Sequence, residues 1–355
     1  MPSEPLQPQR PVPTLEDVAL LAGVSTATVS RCLNAPDRVS LATRERVMTA
    51  VRDLGYAPNF GARALAARRT NTFGAIIPTM ENAIFARGLQ AFQEELGRSG
   101  ITLLVASSSY RPELEEEQIR SLVARGADAL LLIGHDRTAE SYAFLEQRGV
   151  PYVVAWAYDP EKSRVSIGFD NRAAMKALTE EVLGLGHRRL GLITAERNGN
   201  DRARERAEGV LAAVRERGLP EGAIRILETS YSIANGAASF RELMAAGERP
   251  TVVLCGNDVL AAGALTMAKT LGIRVPEEVS VTGFDDIELA QILSPSLTTV
   301  HVPHLEMGRG AAKLLLKLRN GETDVKSVEL TAPVEWRESL GPARRVADTS
   351  GHGGS

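Results

Sequence analysis

Two arginines four residues apart, Arg202 and Arg206, follow the apolar run RLGLIT in the segment NDRARERAEG. A spacing of four places both side chains on one face of a helix. Asp285, the first acid of GFDD, ends a second apolar run, and Asn257 opens the segment after VVLCG. Asp170 follows VSIGF, where it either caps a helix starting at Asn171 or meets a ligand. All five stand where strands give way to helices or loops, the place where open α/β sheets bind ligands.

These are binding groups, and nothing beside them completes a catalytic set. The chain has no Gly-x-Ser-x-Gly elbow and no Walker A loop. GLGHRRLG superficially looks like a dinucleotide loop, but its glycines precede a strand instead of following one, so it reads as a helix stop and turn. His301, His304 and Glu306 in HVPHLE suggest a metal, yet Pro303 breaks the helix that such spacing needs. No cofactor or metal is expected.

A different chemistry is suggested near the N-terminus. LEDVALLAGVSTATVSRCLN places Leu15, Val18, Ala19 and Ala22 on one helical face, and Gly23 suits the left-handed stop. Ser25 caps a second helix whose buried side carries Val29, Cys32 and Leu33, leaving Thr26, Ala27, Thr28, Ser30 and Arg31 on other faces. A third helix, capped by Ser40, follows with Val47, Val51 and Leu54 inward. Two short helices around a tight turn form a helix-turn-helix. Residues 14–70 hold eight arginines against five acids, a net charge of +3 in a chain of net charge −3, as suits a head that meets a polyanion.

The elements behind the first five residues alternate. From Phe73 onward, runs such as FGAIIP, ITLLVA, ALLLIG, YVVAW, RLGLIT and TVVLCG are separated by amphipathic helical patterns. Continuous apolar strands with helices between them make parallel sheets covered on both faces. About 270 residues of this pattern divide naturally into two doubly wound lobes with a cleft between. The tails, 1–13 and 341–355, read as disordered. Two cysteines in apolar runs, no apolar leader and no stretch of 18 apolar residues point to a cytoplasmic protein.

The head segment, together with VSLATRERVMTAVRDLGYAPN, ARALAARRTNTFGAIIP, GNDVLAAGAL and VPEEVSVTGFDDIELAQILSPSLTTV, resembles the lactose-repressor (LacI) family of bacterial transcription regulators over nearly all of residues 14–340. The resemblance implies an all-α helix-turn-helix domain over 14–58, a hinge helix over 59–71 and a two-lobed, periplasmic-binding-protein-like body over 72–340. It implies a homodimer, or a tetramer, that binds a pseudo-palindromic operator as a repressor under control of a small sugar-like effector, as inducer or co-repressor. Carried over, Thr26, Ala27 and Arg31 face bases, Arg31 toward guanine. Thr28, Ser30 and Asn34 face phosphates. In the hinge, Asn59, Ala62 and Arg63 accompany Leu65, which matches the wedge inserted into the minor groove. In the cleft, Arg206 is the family's ligand-binding arginine, Asp285 the acceptor for sugar hydroxyls and Asn257 a polar wall. Phe85 and Tyr231 match ring-stacking aromatics, with Trp156 a further pocket wall. Val302-Pro303 and Asn82-Ala83-Ile84-Phe85 depart from the commoner pattern, so no known member's ligand transfers. The pairing of Arg202 with Arg206 makes a sugar acid the first expectation.

Overall fold

A computed structural model describes residues 12–57, 69–81, 84–161 and 164–344. Asn59, Ala62, Arg63 and Leu65 lie outside the described residues. The chain divides into two compact units, one up to Thr70 and one from Asn71 onward.

In the first unit, α1 (Leu15–Ala22) opens with a capping box: Thr14 accepts from the Asp17 amide and Asp17 reaches back to the Thr14 amide. The bonds that the Thr14 amide and hydroxyl donate to the Asp17 carboxylate, led by the amide's, hold that carboxyl below its usual range. Gly23, left-handed at φ 63°, ends the helix. α2 (Thr26–Asn34) starts at Ser25, whose hydroxyl accepts from the Thr28 amide. α3 (Leu41–Leu54) ends at left-handed Gly55. Ser40 holds the cap position of α3, but its hydroxyl donates to Thr43 Oγ1, so the expected side-chain cap does not form. Val18, Ala19, Ala22, Val29, Cys32, Val47 and Ala50 form the buried core, with Leu15, Leu33 and Tyr56 packed at its margin.

The second unit alternates strands and helices in chain order: β1 (Thr72–Ile77), α4 (Ala86–Arg98), β2 (Thr102–Ser107), α5 (Pro112–Ala124), β3 (Ala129–Ile133), α6 (Ala139–Arg148), β4 (Tyr152–Ala155), β5 (Ser166–Gly168), α7 (Asn171–Gly184), β6 (Leu190–Thr194), α8 (Asp201–Glu216), β7 (Ile224–Glu228), α9 (Ile233–Ala245), β8 (Val252–Cys255), α10 (Asp258–Thr270), β9 (Ser280–Thr282), α11 (Glu288–Ile292), β10 (Thr299–Val300), α12 (His304–Arg319), β11 (Val328–Glu329) and β12 (Val334–Glu335). The first lobe's sheet runs β11-β5-β4-β3-β1-β2 and the second lobe's β7-β6-β8-β9, with every pairing parallel. A short antiparallel pair, β10 with β12, stands apart. β1, β3, β6 and β8 are buried along their whole length, which explains their unbroken apolar sequences.

The chain leaves the first lobe after β5, builds the second, and returns to add α12 and β11 to the first. α12 packs on α4 at very close range: a Cβ on Gly308 would stand about 2.0 Å from the Gly88 carbonyl oxygen. In both sheets the second strand in sequence lies on one side of the first and the third on the other. That reversal opens a crevice beyond the strands' carboxyl ends in each lobe.

Candidate ligand cleft and nucleic-acid interface

Those carboxyl ends deliver the cleft side chains. Asp201 and Arg202 begin α8 beyond β6, Gly256 and Asn257 follow β8, Phe284 and Asp285 follow β9, and Trp156 follows β4. Arg206, one turn into α8, is buried with its guanidinium 3.7 Å over the Phe284 ring. Its donors are distributed: Nε to Asn171 Oδ1 at 2.9 Å, Nη1 to the Gly256 carbonyl at 2.8 Å and Nη2 to Asp285 Oδ1 at 3.4 Å.

From Arg206 a closed circuit of hydrogen bonds crosses between the lobes. Asn171 Nδ2 donates to the Trp156 carbonyl at 3.0 Å, and Trp156 Nε1 donates to His304 Nδ1 at 3.1 Å. His304 Nε2 meets the Asp285 carbonyl at 3.1 Å, and Asp285 closes the ring on Arg206. Burial pushes Asp285 up to about 6 against the opposing pull of Arg206, and lowers His304 to about 4. Asp285 Oδ2 and Asn257 Nδ2 are buried without a hydrogen-bond partner. Asn257 Oδ1 is occupied, accepting from the Leu260 amide as the cap of α10.

Arg202 is paired with Asp201 at 2.9 Å. Burial alone would push Asp201 up, but Arg202, the His135 amide and other nearby positive charge hold it below the usual carboxylate range. Each cleft arginine thus has its own carboxylate, which removes the surplus positive charge behind the expectation of an acidic ligand. Asp201 also accepts from the His135 amide, and Arg204 grips Asp136 through two bonds of 2.7 and 2.8 Å. Both contacts tie α8 of the second lobe to the loop after β3 of the first.

The aromatics divide. Tyr231 faces Tyr110 across the cleft at 5.7 Å between ring centroids, and both line a cavity of about 500 Å³ with Ser107, Ser109, Asn198, Asn200 and Ser230. Phe85 and Trp156 instead pack edge to face on each other, 5.4 Å apart, in the first lobe's core. Asp170 caps α7, accepting from the Ala173 amide at 2.9 Å, which matches one of its two readings. His301 pairs with Asp286 at 2.8 Å while His304 turns inward to the circuit, so the two histidines point to different partners.

Sequence reasoning did not single out Asn171, Tyr110 or the Asp136–Arg204 pair. Asn171 and Asp136 obey the same carboxyl-end rule that found Asp285, so the signal was present. Tyr110 follows an edge strand with no distinguishing pattern.

In the head, Thr26, Ala27, Arg31 and Asn34 are exposed on α2, opposite buried Val29 and Cys32. Thr28 and Ser30 are half-buried. The Thr28 hydroxyl meets Ser25 Oγ at 2.9 Å, and Ser30 Oγ accepts from Asn34 Nδ2 at 3.3 Å.

A helix-turn-helix unit with a two-lobed α/β body whose cleft holds a buried polar cluster has the architecture of a DNA-binding regulator. Comparison with known proteins places it more narrowly. Residues 14–59 match the model of bacterial regulatory proteins of the lacI family, and residues 179–340 match that of a periplasmic-binding-protein-like domain. The HTH-type transcriptional repressor CytR of Escherichia coli (strain K12) is 33% identical over 315 residues, 88% of this chain and 92% of that protein. The lac repressor dimer bound to operator and the anti-inducer ONPF superposes with a TM-score of 0.81 at 26% identity, over 92% of this chain and 98% of that one. A complex of the transcriptional regulator CelR with cellobiose gives 0.67 at 30% identity, over 92% and 100%. The chain belongs to the LacI family and is a DNA-binding transcriptional repressor; its relatives are repressors, not enzymes. Among the described residues, no helix is long and apolar enough to cross a membrane.

Proposed function

We propose that this repressor's affinity for a pseudo-palindromic operator is set by a small neutral sugar or sugar-like polyol held between the two lobes, in a cytoplasmic homodimer. One observation carries the effector class. Asp285 Oδ2, an acceptor, and Asn257 Nδ2, a donor, are both buried and both without partners. A hydroxyl group, which donates and accepts at once, can satisfy either atom. Neutrality follows from the pairing of Arg202 with Asp201 and Arg206 with Asp285. CelR, seen with cellobiose, supplies a related precedent.

At the DNA, Thr26, Ala27 and Arg31 read bases and Thr28, Ser30 and Asn34 contact phosphates, with Asn59, Ala62, Arg63 and Leu65 serving the hinge. Effector and operator influence each other's affinity reciprocally. Calorimetric titration with neutral sugars and the matching sugar acids tests the effector: binding of neutral sugars supports it, and affinity for the acids alone overturns it. Gel retardation with the binding sugar then gives its sign. Loss of the shifted band marks an inducer and gain marks a co-repressor.

A further inference from the structure

Asn71 is exposed, yet it is tied to three elements of the body. Its amide donates to Asp128 Oδ2 at 2.9 Å, just ahead of β3, and its carbonyl accepts from the Thr102 amide at 2.9 Å, at the start of β2. Its side-chain Oδ1 accepts from Nη2 of Arg319, the last residue of α12. Its backbone is left-handed at φ 51°, a conformation that asparagine adopts more readily than most residues. Asn71 opens the second unit and ends the segment 59–71 read as a hinge. Two strands and a helix thus fix both the position and the direction of the chain where it enters the body.

Arg319 is poorly placed to stabilise the fold. Its side chain is only 13% exposed, and the carboxylate of Asp128 stands 3.9 Å away, beyond hydrogen-bond distance. Its Nε is buried with no hydrogen-bond partner among the described residues. The guanidinium carbon lies 5.8 Å from the centre of the Phe73 ring, near the limit of a cation–π contact. A charge buried on these terms loses hydration that so distant a pairing repays badly. What Arg319 does have is a fixed base. The packing of Gly308 on Gly88 holds α12 hard against α4, so the donor that reaches Asn71 is anchored at its root.

We infer that Arg319 is a positioning residue for operator recognition: by holding the Asn71 side chain it sets the direction in which the hinge leaves the body. This deepens the reading of residues 59–71 as a DNA-contacting hinge and rests on it. Specific binding needs hinge and head aligned on one operator, so it depends on that direction. Non-specific binding is supplied by attraction to phosphates and does not. The bond between Arg319 and Asn71 therefore contributes to the ratio of the two affinities and little to either the fold or the attraction to DNA in general.

The test is gel retardation of the full-length protein on an operator that the wild type selects from random DNA, and on scrambled DNA of the same length. Arg319→Met keeps the length of the side chain beside Phe73 and deletes the donors. It should weaken operator binding by about 2- to 30-fold and leave binding to scrambled DNA unchanged. Arg319→Lys, which keeps a donor, should fall between Arg319→Met and the wild type. Asn71→Gly keeps the left-handed backbone and removes the acceptor, so it should show the same selective loss. It alters an exposed position and reads the clamp even if Arg319→Met does not fold. Because both break one bond, the double variant should bind no worse than the weaker single variant. A mere loss of folded protein lowers both affinities alike, so equal losses on the two DNAs overturn the inference, as do wild-type operator binding in Arg319→Met and multiplying losses in the double variant. Leu65→Ala checks the hinge reading separately. If it loses operator binding selectively while Arg319→Met and Asn71→Gly do not, the hinge stands and the clamp falls. If Leu65→Ala shows no selective loss, the hinge reading falls and this inference falls with it.

Discussion

Trp156 Nε1 and His304 Nδ1 stand 3.1 Å apart, and the direction of that bond fixes the chemistry of the histidine. An indole nitrogen only donates, so Nδ1 must be the acceptor and Nε2 must carry the proton it gives to the Asp285 carbonyl. His304 is thereby held neutral in one tautomer, in keeping with its lowering to about 4 by burial. Replacing it by phenylalanine keeps a ring of similar size and deletes both bonds, leaving a buried indole N–H without an acceptor. His304→Phe should lose about 1–3 kcal/mol of stability, measured by urea denaturation. His304→Gln, which can still accept and donate, should recover part of the loss. A denaturation midpoint unchanged in His304→Phe would show that the bond contributes nothing to stability.

The same circuit sets two opposing pH dependences. Asp285 is raised from 3.8 to about 6 by burial, so its contribution to stability is complete below about 4 and is lost as pH rises through 6. His304 is lowered from 6.5 to about 4, so its contribution is complete above 6.5 and is lost as pH falls toward 4. Between pH 4 and 6.5 the two slopes partly cancel. Asp285→Asn should remove the first and make acid destabilisation steeper, whereas His304→Phe should flatten or reverse it. Denaturation curves at pH 4, 5 and 6.5 for the two variants would read the slopes. Identical profiles in both variants and the wild type would assign the pH dependence to other groups.

Much of this was legible in the sequence, for reasons that differ by element. β1, β3, β6 and β8 are buried on both faces, so their apolar runs are unbroken and easily found. Arg206 and Asp285 were found because they follow such runs. Val328–Glu329 and Val334–Glu335 were not, since a two-residue strand has no period to detect and forms only through its partner. The paired state of Arg202 was also hidden. Its neighbour Asp201 is visible in sequence, but only folding turns that carboxylate back onto the guanidinium and onto the His135 amide. Phe85 and Trp156 lie 71 positions apart, and nothing local announces that the two rings pack against each other.

Close helix contact makes a further claim on sequence. A Cβ at Gly308 would fall about 2.0 Å from the Gly88 carbonyl, a backbone atom with nowhere to move, and one at Gly88 about 2.4 Å from the Trp156 ring. Gly308→Ala should therefore destabilise the protein by about 1–3 kcal/mol despite alanine's better helix propensity. Thermal melts compare it with Gly184→Ala, at a position with nothing within 4 Å, which should be neutral or stabilising. Equal melting temperatures for the two variants would refute the tight contact.

The bond pair between Arg204 and Asp136 fastens the second lobe to the first beside the cleft. Both side chains are partly exposed, so solvent screening limits the pair to about 0.2–1 kcal/mol. Asp136→Asn should lower effector affinity by no more than about fivefold, and 0.5 M salt should erase much of the difference. A loss of a hundredfold would mean that Asp136 touches the effector itself.

Arg31 is the head residue best suited to read a base. It is exposed on α2, and its rigid fork of donors matches the two acceptors of guanine in the major groove. Thr26 and Ala27 are too short for a bidentate contact, and the hydroxyls of Thr28 and Ser30 are engaged within the head in the absence of DNA. If Arg31 reads guanine, Arg31→Ala should cost about 1–3 kcal/mol on an operator selected from random DNA, roughly 5- to 160-fold, and far less on scrambled sequence. Arg31→Lys separates charge from geometry. It keeps the positive charge, so the salt dependence of binding should be unchanged, but it loses the fork, so most of the discrimination at one base pair should vanish. Gel retardation on the operator, on the operator with that pair replaced, and on scrambled DNA measures all three. Equal losses on every DNA, with a shallower salt dependence in Arg31→Ala, would move Arg31 from the base edge to the phosphate backbone.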